Sequence, residues 1–160
     1  MIAIKSVLRR FMVAGVGWLL VFSVAQATEL ITPSESLQPE YVVKLQLDSL
    51  MKNDFPYPDA GAAQTFAFAH PNNQRITGPL DRFSKMLRLP GYQQLLNHRS
   101  HAIKLYSQND ENAVFAVKVI DQVGNQYGFH WVVAKNTSGE CTGCWLTTQV
   151  SPAIPLAQGI

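Results

Sequence analysis

Three segments between residues 38 and 96 carry apolar residues at the three- and four-residue spacing of an amphipathic helix. The first begins at Pro39, a favourable first helical residue, and is predicted to run to about residue 53. The second is predicted to follow Asp59 as N-cap and to end at residues 70–73. The third is predicted to open at Thr77-Gly78-Pro79 and to end at Pro90-Gly91, leaving room for a short helical turn at 92–96.

After residue 100 the pattern changes to the alternation of β-strands. Residues 101–106 and 113–121 alternate apolar and polar side chains, and they predict half-buried strands. Residues 127–135 are apolar on both faces, which is typical of a central strand, and residues 145–150 form the last predicted strand. Short turns indicate an antiparallel meander. We therefore expect an α+β fold in which three N-terminal helices pack on a curved four-stranded antiparallel sheet and enclose a cone-shaped cavity.

The first 27 residues have the three-part pattern of a secretory signal peptide. A basic region with Lys5, Arg9 and Arg10 precedes the apolar run 11–25, and Ala25-Gln26-Ala27 gives a small-x-small cleavage pattern. The run is shorter than the roughly twenty residues of a membrane-spanning helix. We expect export by the general secretory route to the periplasm or medium, with membrane contact only through this segment; an uncleaved anchor is the alternative.

Cleavage changes the charge of the chain. Ten basic residues then face eleven acidic ones, and no cluster of Lys or Arg remains to bind nucleic acid. The remaining length suits one domain. We expect a polar, extended or mobile arm at 28–37, a single α+β domain at 38–151 and a C-terminal tail at 152–160.

The segment from Val42 to about Thr148 resembles the uncharacterised bacterial and plastid family known as domain of unknown function 4864. The resemblance rests on Leu45-Gln46-Leu47, Asn53-Asp54, Phe66-Ala67-Phe68-Ala69-His70-Pro71, Thr77-Gly78-Pro79, Arg82-Phe83, Met86, Tyr92, Leu95-Leu96 and Gly143-Cys144-Trp145, in order and at matching spacing. That family is similar to the nuclear-transport-factor-like (SnoaL-like) cone fold. The wider group includes cyclases, isomerases, dehydratases, ligand-binding modules and dimerisation modules, so the resemblance implies a fold and no catalytic residue.

Cys141-Thr142-Gly143-Cys144 is the sharpest local motif. A strand follows it rather than an activating helix, so a disulfide across a turn, or unpaired thiols, is favoured over thiol-redox catalysis. A metal site would need two further ligands, and we expect neither metal nor cofactor. His98 and His101 flank the start of a predicted strand, where their spacing predicts solvated side chains on opposite faces. His70 is expected at a helix C-terminus.

A cone-fold enzyme would need a general base, and the predicted strands offer only His130 and Asp121. A hydrogen-bonded core histidine and a turn residue are the simpler interpretations of the two. Seven aromatic residues are candidates to line an apolar pocket, although core packing also explains them: Phe55, Tyr57, Phe66, Tyr92, Tyr127, Phe129 and Trp131.

These patterns predict an exported, non-catalytic module that binds a small apolar ligand or a partner protein, and that is compatible with a homodimer. The alternatives are an isomerase- or cyclase-like enzyme using His130 or Asp121, and a thiol-redox protein using Cys141 and Cys144.

Overall fold

The computed structural model describes residues 29–157, so the predicted signal at 1–27 lies outside the described residues. Within this range the helices precede the strands, which confirms the α+β order. The elements are α1 (Pro39–Met51), α2 (Ala60–Ala67), α3 (Pro71–Thr77), α4 (Leu80–Leu87), a 3₁₀ turn (Gln93–Leu95), β1 (Ser100–Gln108), β2 (Asn112–Ile120), β3 (Gln126–Lys135), β4 (Trp145–Val150) and β5 (Ile154–Ala157). In residues 29–157 no helix combines the length and apolar character needed to span a membrane.

The prediction of three helices is wrong, because α3 forms where a break was expected. Pro71 occupies the first helical turn, where its missing N–H leaves no hydrogen bond unmade. The Nδ1 of His70 accepts a hydrogen bond from the backbone N–H of Asn72 at 3.2 Å. His70 therefore begins a helix rather than ending one, and its expected place at a helix C-terminus is also wrong.

The sheet is an antiparallel meander in the order β1-β2-β3-β4, and β5 returns to pair with β3. β4 pairs with the second half of β3 and β5 with the first half, so two short strands cover one edge of β3. Ser151 joins them: its Oγ accepts from the N–H of His130, and its own N–H donates to the His130 carbonyl, both at 2.9 Å. Part of the expected C-terminal tail is thus a fifth strand.

The hydrophobic core lies between the helices and the inner face of the sheet. Alternation along β2 and β3 sends every second side chain inward, where it meets the apolar stripe of α1. The largest fully buried apolar side chains are Trp131, Phe68, Phe115, Phe129, Leu47, Leu50 and Leu95.

The helices α1 and α2 cross with their backbones in contact at Gly61. A Cβ atom there would lie 2.2 Å from the Ser49 carbonyl oxygen and 2.8 Å from the Cα of Asn53. The N–H of Gly61 donates to the Asn53 carbonyl at 2.9 Å, and the Asn53 side-chain oxygen accepts from the Ala62 N–H at 3.0 Å. Only glycine permits so close a crossing. The short distance between the helices also allows the Gln46 side chain of α1 to donate to the Thr65 carbonyl of α2.

Candidate functional site

A cavity of about 140 Å³ lies between the helices and the β3–β4 part of the sheet. All four helices, the 3₁₀ turn, β3 and β4 contribute to its wall. None of the residues that line it carries a charge: Gln46, Leu50, Thr65, Ala69, Asn73, Thr77, Phe83, Met86, Leu87, Tyr92, Leu95, Trp131, Thr147, Thr148, Gln149 and Val150. Buried apolar side chains line the inner part of the cavity, and the half-buried Asn73, Thr77 and Met86 lie nearer the surface.

Four polar or partly polar residues of this wall form a hydrogen-bonded group, which we call the Gln46 cluster: Gln46, Thr65, Trp131 and Thr147. The Oε1 of Gln46 accepts from the Trp131 Nε1–H at 3.1 Å and from the Thr147 hydroxyl at 2.6 Å. The Nε2 of Gln46 donates to the Thr65 carbonyl at 3.0 Å. Each of the four residues is at most 5% exposed, so the cluster is a buried polar patch in an otherwise mainly apolar wall.

The chemistry of the indole fixes the orientation of the Gln46 amide. The Trp131 Nε1–H can only donate, so the amide oxygen of Gln46 must face it and the amide nitrogen must face the Thr65 carbonyl. A primary amide nitrogen carries two N–H groups. Among the described residues the Gln46 Nε2 makes a single hydrogen bond, which leaves one buried N–H group at the cavity wall.

An irregularity in β4 turns consecutive residues toward the cavity. Thr147 pairs with Val133 and Gln149 pairs with Val132, so Thr148 is an extra residue in the strand. Such a bulge disturbs the strict alternation of side chains, and Thr147, Thr148 and Gln149 all line the cavity. On the opposite edge, the Thr147 backbone bonds to Phe68 and His70, at 2.8 Å in each case. β4 is therefore fixed on both edges where it forms the cavity wall.

Two of the seven aromatic residues singled out from the sequence, Tyr92 and Trp131, line this cavity. The Tyr92 hydroxyl donates to the Val150 carbonyl at 3.4 Å. Phe66 lies behind the wall, with its ring 5.2 Å from that of Phe83.

The other four aromatic residues lie elsewhere. Phe55 and Tyr57 are 76% and 42% exposed in the loop between α1 and α2, beside a different surface cleft. Phe129 is buried in the core, and Tyr127 is half-buried near the start of β3. The seven aromatic residues therefore do not line one common pocket.

Neither candidate general base lies in the cavity. His130 is exposed, and it alternates with the inward-facing Phe129 and Trp131, so it lies on the outer face of the sheet. Asp121 lies in the β2–β3 turn, where its carboxylate accepts from the N–H groups of Val123 and Asn125 at 3.0 and 2.8 Å. Desolvation acts to raise the pKa of Asp121, but these hydrogen bonds and the one from the Asn125 side chain outweigh it and lower the pKa.

Cys141 and Cys144 are joined by a disulfide that closes the turn before β4, with Cα atoms 5.5 Å apart. Neither residue lines the cavity. The bridge therefore holds the end of the β3–β4 connection in place.

The expectation of solvated histidines on opposite faces is wrong. His98 is 2% exposed: its Nδ1–H donates to the Leu95 carbonyl, and its Nε2 contacts the Nδ1 of His101, both at 2.7 Å. β1 begins only at Ser100, so strand alternation does not apply to residue 98. Burial lowers the pKa of both imidazoles, against the opposing charge of Asp48 at 3.4 Å from the His101 Nε2. Residues 29–157 hold no group of three or more His, Cys, Asp or Glu side chains arranged to bind a metal.

A protein-family model, described as a domain of unknown function (DUF4864), matches residues 34–154. The chain belongs to the DUF4864 family. The matched span contains all four helices, β1 to β4 and every residue that lines the cavity, so the cavity is part of the DUF4864 domain itself. No curated protein and no solved structure matches the chain.

No motif in the sequence of the DUF4864 domain identifies the four residues of the Gln46 cluster as a site. One signal was present: Gln46 lies in the apolar stripe of α1, between Val43 and Leu50. A polar side chain at such a position is buried and requires hydrogen-bond partners. Those partners, on β3 and β4, are identified only by the fold.

Proposed function

We propose that this DUF4864 domain is a non-catalytic binding module whose cavity holds a small, uncharged and mainly apolar molecule. The observation that carries the proposal is the composition of the wall: apolar side chains, one compact polar cluster and no charge. Small-molecule sites usually combine an apolar lining with a few convergent polar groups. A charged ligand would be buried here without a counter-charge, which is strongly unfavourable.

The size of the cavity limits the ligand. An apolar cavity of about 150 Å³ is large enough to bind benzene, so about 140 Å³ suits one six-membered ring or an alkyl group of similar size. Asn73, Thr77 and Gln149 contribute polar groups to the same wall, where the polar end of a longer ligand can be placed.

The chemistry of the wall favours binding over the isomerase- or cyclase-like alternative. Acid–base catalysis requires a titratable side chain within reach of the substrate. The wall has neither a carboxylate nor a histidine, and the candidates His130 and Asp121 lie outside it.

We also propose that the domain has a cone arrangement similar to the nuclear-transport-factor-like fold and acts after export. Helices on one face of an antiparallel sheet, with a cavity between the two layers, support the arrangement. The disulfide Cys141–Cys144 is compatible with an oxidising compartment, and the signal pattern at 1–27 supports export.

Blocking the cavity tests the binding proposal. Met86 of α4 lines the cavity and is half-buried, whereas Leu89, just beyond α4, is 56% exposed and does not line it. We expect toluene and related neutral probes to stabilise the native protein by about 2.7 kcal/mol at a hundred times their Kd. Met86→Trp should remove this stabilisation because the indole fills the cavity, and Leu89→Trp should retain it.

Thermal unfolding with and without each probe measures the effect, and ligand-observed NMR confirms binding. Uniformly absent shifts across the probe series, or equal shifts in wild type and Met86→Trp, would contradict the proposal.

A further inference from the structure

The second Nε2–H group of Gln46 is a buried donor at the cavity wall that no acceptor among the described residues uses. Gln46 is 1% exposed, its Nε2 bonds only to the Thr65 carbonyl among the described residues, and it lines the cavity. A buried donor without an acceptor is destabilising, and native proteins seldom keep one without a reason. Because Gln46 lines the cavity, a ligand atom there is the candidate acceptor for this hydrogen bond.

The rest of the cluster limits what that ligand atom can be. The Gln46 Oε1 already accepts two hydrogen bonds, which uses both of its lone pairs. The Thr147 hydroxyl donates its only proton to that oxygen. The amide therefore offers the ligand a donor but no free acceptor, and no basic side chain is present to balance a carboxylate.

We infer that the ligand class is a neutral carbonyl compound, a ketone, aldehyde, ester or amide, whose oxygen accepts from the second Nε2–H of Gln46 while its apolar part fills the cavity. This inference rests on the proposed function. A carbonyl oxygen accepts without donating, so it matches the free N–H better than a hydroxyl group, whose own proton would need a further acceptor.

Two neutral probes of nearly equal shape test the inference: acetophenone, which has the carbonyl, and isopropylbenzene, which lacks it. Their difference in hydrophobicity cancels when the ratio of their Kd values is compared between proteins. Gln46→Met keeps a long side chain and removes the donor. We expect the preference for acetophenone to fall by about 2- to 13-fold in Gln46→Met, which is the contribution of one hydrogen bond. Gln93→Met, an exposed glutamine outside the cavity, should leave the ratio unchanged.

NMR of the wild-type side-chain amide gives a second readout that needs no variant. Acetophenone, and not isopropylbenzene, should shift one of the two Gln46 Nε2–H proton resonances downfield. Binding of both probes with an unchanged ratio in Gln46→Met and no selective amide shift would overturn this inference and leave the proposed function standing. If Gln46→Met does not fold, the amide shift alone decides. Failure of both probes to bind the wild-type protein would overturn the proposed function and this inference with it.

Discussion

Replacement of Gly61 by alanine should destabilise the domain severely, because the added Cβ meets backbone rather than a flexible side chain. The Cβ would lie 2.2 Å from the Ser49 carbonyl oxygen and 2.8 Å from the Asn53 Cα. An ordinary carbon–oxygen contact is about 3.3 Å, so α1 and α2 would have to separate by roughly 1 Å at their crossing. Neither backbone atom can move aside by a change of rotamer.

The magnitude follows from what that separation disturbs. Overpacking in cores typically costs about 1–3 kcal/mol when side chains can adjust. Since backbone is the obstacle here, we expect a loss near the top of that range, about 3 kcal/mol. A total stability of about 5–15 kcal/mol makes this a large fraction. The Gln46–Thr65 bond at 3.0 Å joins the same two helices, so binding of neutral probes should weaken as well.

Urea unfolding of Gly61→Ala against wild type measures the loss, with Gly91→Ala as the matched control. A Cβ at Gly91 would meet its nearest atom, the Cβ of Pro152, at an ordinary 3.5 Å, so this variant should stay within about 0.5 kcal/mol of wild type. If Gly61→Ala proved as stable as Gly91→Ala, the backbone contact at this crossing would not exist as described.

Two further predictions concern pH and the disulfide. Burial lowers the folded-state pKa of His98 and His101 below the ordinary 6.5, so the unfolded chain binds these protons first. The free energy of unfolding should therefore fall as the pH drops from about 7 to 5.5, which urea unfolding at a series of pH values measures. If the urea midpoint of the double variant His98→Asn/His101→Gln changed with pH as steeply as that of the wild type, this prediction would be contradicted. Replacing Cys141 and Cys144 by serine opens a four-residue loop, and the chain-entropy relation predicts a loss of about 2 kcal/mol in the free energy of unfolding. Chemical unfolding measures this loss. The affinity for neutral probes should not change, and a change would contradict the position of the disulfide outside the cavity.

The regular strands were the most predictable part of this fold, because their periodicity is set by burial. β4 has the bounds predicted from its sequence, and β3 begins one residue earlier than predicted. α3 and β5 were not predictable in the same way. His70-Pro71 reads equally as a helix end or a helix start, and the outcome depends on the cap that the histidine ring provides. β5 has four exposed residues, so its pairing with β3 leaves no burial pattern in the sequence.

The candidate site was predictable only in its aromatic part. Trp131 was identified from an apolar strand, yet its significance lies in the indole N–H that bonds to Gln46 and Thr147. Those bonds connect positions 85 and 16 residues apart in the chain. No local pattern encodes such a contact, so residue type alone cannot separate a cavity-lining aromatic such as Trp131 from an exposed one such as Phe55.

The Gln46 cluster also makes the cavity wall depend on residues from almost the whole length of the domain. Its hydrogen bonds join α1 to α2, β3 and β4 across 19, 85 and 101 residues. A nascent or truncated chain that stops before Thr147 lacks one side of the cluster, and the shortest segment that holds all of it runs from Gln46 to Thr147. During synthesis the polar part of the cavity wall can therefore form only after nearly the entire domain has been translated.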